Sequence, residues 1–135
     1  MIYLDTTAVV KMVRVEAETP ALVAWLNDRA GIPLLASAMV EVEAARALWH
    51  SAPAAISALP AALARLHRIE IDATIRAAAA NFPEPEVRVL DAIQLATALQ
   101  IPRLHAFVTY DARLFEAARQ AHLPATRPLT ATAGA

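Results

Sequence analysis

The chain has 135 residues, of which 58% are hydrophobic and 19% charged, enough for one packed core and too apolar for a disordered polymer. It contains no cysteine, which excludes disulfides and thiolate metal sites and leaves oxygen or imidazole as the only metal ligands. With 12 basic and 13 acidic residues the net charge is −1, so no global field draws it to nucleic acid, and such a substrate would need a local patch.

The opening residues Met1-Ile2-Tyr3-Leu4-Asp5 have no basic segment ahead of a long apolar run, so a cytoplasmic protein is expected rather than a secreted one. Ile2-Tyr3-Leu4 is a short β-favouring run ending at Asp5, and Thr6-Thr7 is expected to cap a helix from Ala8 to about Val15. Pro20 suits the first turn of a second helix that Gly31 ends. Ile32 to Ala36 reads as the next strand, with Ser37 positioned to cap a helix from Ala38 to Trp49. The longest stretch without Asp, Glu, Lys or Arg, Ala47 to Ala64, is broken by Pro53 and Pro60 among other residues. It predicts a helix, a break and another helix rather than a membrane span, and with Trp49 it is a candidate groove for a protein partner.

Arg68 to Asp72 alternates like a strand, and Asp72 is expected to cap a helix from Ala73 to Ala80. From Val87 to Gln100 the pattern is apolar on nearly every side, which predicts a helix buried within the protein and makes its one acid, Asp91, unusual. Ala106 to Asp111 is a further strand ending in an acid, followed by a helix from Ala112 to His122 and then Pro124. Strands alternating with helices predict an α/β fold of three layers, α/β/α, around a central parallel sheet of four to five strands. One domain over 1–128 is expected, with a flexible tail over 129–135.

Asp5 and Asp111 end strands, Glu43 lies on the helix after the second strand and Asp91 on the buried helix. In parallel sheets ligands bind at the carboxyl ends of the strands, so this topology can bring the four together. Packed carboxylates repel one another unless protons or a cation neutralise them. A divalent cation with oxygen preference answers that need and supports phosphodiester hydrolysis. Each acid has a structural alternative: Asp5 and Asp111 as helix caps, Glu43 as the i,i+3 partner of Arg46, and Asp91 as the i+3 partner of Arg88. Glu41 lies about 200° around the helix from Glu43, so only one of them can face the site, and Glu43 fits the spacing better.

These residues also carry a family resemblance. Leu4-Asp5-Thr6-Thr7-Ala8-Val9-Val10-Lys11 is similar to the opening of PIN domains of the VapC type, and Ser37 with Glu43 and Arg46 resembles the second motif of that family. The run Arg88-Val89-Leu90-Asp91-Ala92-Ile93-Gln94-Leu95-Ala96-Thr97-Ala98 resembles the third, and Thr109-Tyr110-Asp111 the fourth. The resemblance spans Ile2 to about Pro128 and implies a PIN-like fold and an endoribonuclease toxin dependent on Mg2+ or Mn2+. It implies Asp5, Glu43, Asp91 and Asp111 as catalytic and metal-binding acids, supported by Thr7, Thr109, Gln94, Arg46 and Arg88. It further implies an RNA substrate, a cognate VapB-type antitoxin and a homodimer, with no membrane. Position 94 often holds His in similar sequences, and Gln there leaves a hydrogen-bonding role rather than proton transfer.

A phosphoacceptor domain would want a lysine near a late strand, and the only lysine is Lys11. A phosphatase with an aspartyl nucleophile would want an acid two residues after the first, where Thr7 stands. The rival that survives is a catalytically silent PIN-like binding module whose acids serve only caps and salt bridges.

Overall fold

The computed structural model describes residues 1–130. From residue 131 onward the tail expected over 129–135 lies outside the described residues, and Leu129 and Thr130 are exposed and outside any helix or strand. Five strands, β1 (Ile2–Leu4), β2 (Leu34–Ser37), β3 (His67–Ile69), β4 (Ala106–Val108) and β5 (Ala125–Thr126), form one sheet in the order β3-β2-β1-β4-β5. Every pairing is parallel. The chain leaves β1 toward one edge and, from β4, runs to the other. The switch point is therefore the crevice beyond the carboxyl ends of β1 and β4.

Period-two alternation on β1 divides the core. Ile2 and Leu4 face a cluster built from helices α1 (Thr6–Val13), α2 (Thr19–Asn27), α3 (Val40–Ser51) and α4 (Leu59–Ala64), which includes Val9, Leu22, Leu48 and Leu59. Tyr3 points the other way, stacked on Phe107 at 5.1 Å, into a cluster with Leu95 of α6 (Val89–Leu99) and Leu114 of α7 (Ala112–Gln120). Helix α5 (Ala73–Ala80) packs on α6. This is the expected three-layer arrangement, and its five strands fall within the expected four to five, although the fifth, β5, was not located in the sequence. The 3-10 segment Pro53–Ala58 is the break between α3 and α4.

Several local expectations are corrected. The cap of α1 is Asp5, whose Oδ1 accepts from Ala8 N at 2.9 Å, and Thr6 and Thr7 lie inside the helix. An Asp in extended conformation satisfies an orphan N–H that a threonine one residue later would reach less well. Ser37 is the last residue of β2, its Oγ accepts from Met39 N at 3.3 Å, and α3 begins only at Val40. Helix α6 is not surrounded by protein. Val89 and Leu90 are 76% and 50% exposed, and burial begins at Ala92. The third strand is His67–Ile69 rather than Arg68 to Asp72, while Asp72 caps α5 as expected, through Ile75 N at 2.9 Å. Helix α7 stops at Gln120, with His122 at φ 64° ending it in the left-handed region.

Candidate active site

Asp5, Glu43, Asp91 and Asp111 come from four separate elements and line one cleft of about 460 Å³, which also takes in Thr6, Thr7, Arg46 and Gln94. Asp5 follows β1 and Asp111 follows β4, so both stand at the switch point, and α3 and α6 bring Glu43 and Asp91 over it.

Asp5 is the most constrained of the four, at 2% exposed. Its Oδ1 accepts from Thr7 Oγ1 at 2.7 Å and from Ala8 N, and its Oδ2 accepts from Thr109 Oγ1 at 2.5 Å. Burial raises its pKa to about 6, outweighing the three hydrogen bonds that favour the carboxylate, and the charge of Asp111 adds to the rise. Thr7 and Thr109 are themselves tied down: Tyr110 N donates to Thr7 Oγ1, and Asp111 N donates to Thr109 Oγ1. Asp111 caps α7 through Arg113 N and Leu114 N, both bonds falling on Oδ1, with no second bond to Oδ2 among the described residues.

Glu43 Oε1 accepts from Thr6 Oγ1 at 2.8 Å and from Gln94 Nε2 at 3.4 Å. A carboxylate only accepts, so the Gln94 amide turns its NH2 toward Glu43 and its oxygen toward the core, where the buried Tyr3 hydroxyl donates to it. Burial raises the pKa of Glu43, with a further rise from Asp91; burial likewise raises Asp91, with a further rise from Asp111. The carboxylates thus sense one another around the cleft. Arg46 lines the same cleft but makes no ion pair with Glu43 among the described residues. Arg88 stands at the N-cap of α6, exposed, where its charge lowers the pKa of Asp91. Glu41 faces away and pairs with Arg68 at 2.8 Å.

Two residues of this arrangement carry no obvious sequence signal as site residues. Thr6 looks like a cap when read locally, and Tyr3 looks like an ordinary strand residue. Only the alternation that sends Tyr3 to the face opposite Ile2 and Leu4 hints that it meets α6.

The donor set fits a hard divalent cation: apart from Arg46, the one cation in its lining, every polar side chain of the cleft is carboxylate, hydroxyl or amide, and three of the acids are held with raised pKa values. Among the described residues no three acidic or histidine side chains form a ready-made ligand cage.

A model of the PIN domain matches residues 2–120. The chain is 49% identical over 131 residues to ribonuclease VapC35 of Mycobacterium tuberculosis, covering 95% of this chain and 97% of that protein. It is 38% identical over 119 residues to ribonuclease VapC46 of the same organism, covering 87% and 90%. Two solved structures share the fold. One is a toxin-antitoxin complex from Klebsiella pneumoniae, with TM-score 0.71 and 20% identity over 97% of this chain and 100% of that one. The other is VapBC2 from Rickettsia felis bound to a promoter DNA fragment, with TM-score 0.72 and 18% identity over 94% and 98%.

Proposed function

The chain belongs to the PIN domain family, and on that premise we propose that it is an endoribonuclease toxin whose cleft of Asp5, Glu43, Asp91 and Asp111 hydrolyses RNA phosphodiester bonds with Mg2+ or Mn2+. The observation that carries this reading is the meeting of four acids from four elements in one cleft at the switch point of a parallel sheet. Asp5, Glu43, Asp91 and Asp111 would hold the divalent cation, which would supply an activated water and neutralise charge on the scissile phosphate. The chain's own residues prepare the site. Thr7 and Thr109 fix both oxygens of Asp5, Thr6 and Gln94 fix Oε1 of Glu43 and leave its other oxygen free of them, and Arg46 presents a guanidinium to a phosphate entering the cleft. The decisive assay is cleavage of an RNA oligonucleotide. Activity should need Mg2+ or Mn2+, stop with chelator, and fall at least about 100-fold in Asp91→Asn. Undiminished cleavage by that variant would refute the assignment.

The partner reading rests on the apolar groove of about 480 Å³ lined by Trp49, Ile56, Leu59, Pro60 and Leu63, in which Trp49 is 56% exposed. It suits an apolar segment of a VapB-type antitoxin, whose binding would silence a toxin acting as a homodimer in the cytoplasm. Trp49→Ala should weaken antitoxin binding while leaving RNA cleavage by the free toxin intact. No helix among the described residues is long and apolar enough to cross a membrane.

A further inference from the structure

Net charge supplies no attraction for RNA, so the chain's affinity for phosphate has to be local. A second groove, of about 470 Å³, adjoins the acidic cleft and shares Asp91 with it; Arg88 and Arg113 stand in its lining. Both arginines are exposed. Neither donates a side-chain hydrogen bond to a carboxylate or stacks on an aromatic ring among the described residues, whereas Arg14, Arg68 and Arg119 are held by acids and Arg29 and Arg127 lie over rings; Arg46, Arg65, Arg76 and Arg103 also lack an acid or ring partner, but only Arg88 and Arg113 line this groove with Asp91. They come from the first turns of different helices, Arg88 at the N-cap of α6 and Arg113 just inside α7. Both charges act on Asp91, so the pair sits beside the acid that separates groove from cleft. Glu86 and Glu116 also line the groove, and Glu116 is engaged by Arg119 at 3.2 Å.

We propose that Arg88 and Arg113 form a phosphate-binding arm that receives the RNA backbone next to the scissile phosphate, so that the strand runs from the acidic cleft across Asp91 into the adjoining groove. The inference rests on the nuclease reading of the cleft and goes beyond it by giving the RNA a direction and two anchoring residues. An unpaired guanidinium keeps all its donors for a phosphate, and two of them on separate helix starts grip a backbone without reading its bases. Arg46 is the one cation in the lining of the cleft itself, and Lys11 and Arg14, which line the pocket adjoining it at Thr6 and Thr7, are held by Glu16 and Glu18, which makes the Arg88 side the better-anchored flank.

The test uses the full chain carrying Asp5→Asn, so that single-stranded RNA is bound and not cut, with fluorescence anisotropy read across a series of salt concentrations in magnesium buffer. Arg88→Ala and Arg113→Ala should each weaken binding and reduce the slope of log affinity against log salt by about 0.7, with about twice that in the double variant. Arg119→Ala, which loses only a surface ion pair, should leave the slope unchanged. In the otherwise unmutated enzyme the arginine variants should raise KM far more than they lower kcat, and their metal-induced thermal shift should be no smaller than that of the wild type. An unchanged salt slope in the double variant, with RNA cleavage by the wild type intact, would overturn the arm while sparing the nuclease reading. Absence of RNA binding by the Asp5→Asn parent would overturn the arm, and together with absence of RNA cleavage by the wild type would overturn both.

Discussion

Asp5 serves two purposes with one side chain, since the oxygen that caps α1 belongs to the carboxylate at the bottom of the cleft. Its pKa, raised to about 6 by burial, means that the folded chain holds this proton to higher pH than the unfolded one. Stability from this group is therefore greatest below about pH 4 and falls as pH rises through 6, by about 2 to 3 kcal/mol in all. Asp5→Asn removes that fall and keeps the cap, because Asn caps as well as Asp. In metal-free buffer the variant should melt several degrees above the wild type at pH 8, and the gain should shrink at pH 4.5; a lower melting temperature at pH 8 would show that the carboxylate charge itself holds the fold. Tyr3→Phe keeps the stack on Phe107 but strands the Gln94 oxygen, at a cost of about 1 to 3 kcal/mol in denaturant unfolding. Cleavage should fall with it, because a free amide can turn its oxygen toward Glu43. Asp5 and Asp111 stood out in the sequence as acids at strand ends, Asp91 as the one acid of an apolar helix, and Glu43 by its spacing on the helix after the second strand. Tyr3 and Thr6 were not, because their roles depend on contacts 91 and 37 residues away in the chain.

At the scale of elements, the caps reveal which signals survive folding. Asp72 caps α5 as read from the sequence, whereas Asp5 took over the role expected of Thr6-Thr7 because it was already placed by β1. Asp111 tests the two readings of a strand-end acid directly. Asp111→Ala should cost about 1 kcal/mol by removing the cap of α7, while Asp111→Asn should leave the melting temperature near wild type and still abolish cleavage. Strand β5 escaped notice because it is two residues long and follows Pro124; its place is set by pairing with β4 rather than by its own propensity. The all-round apolarity of α6 suggested complete burial. Its exposed Val89 and Leu90 instead frame the cleft and the neighbouring surface, so that hydrophobic pattern alone did not separate a core helix from one that reaches past the core.

Over the whole molecule, the strand order places the site. Asp5 and Asp111 are 106 residues apart and meet because β1 and β4 are paired in register, Leu4 beside Val108. Alternating strands and helices made the parallel sheet legible, and the family resemblance supplied the grouping of the acids. The proposed path of an RNA strand across Asp91 was not legible, since it depends on which arginines line a common groove beside that acid once the chain has folded. The central claim is that the four carboxylates hold a divalent cation in the folded chain and far less in the unfolded one, so that metal raises the melting temperature by mass action. Thermal melting of the wild type, Asp91→Asn and Asp72→Asn, with and without Mn2+ or Mg2+, tests it most directly. The account predicts a clear metal-induced rise in the wild type and in Asp72→Asn and a blunted one in Asp91→Asn; equal shifts in all three would contradict it.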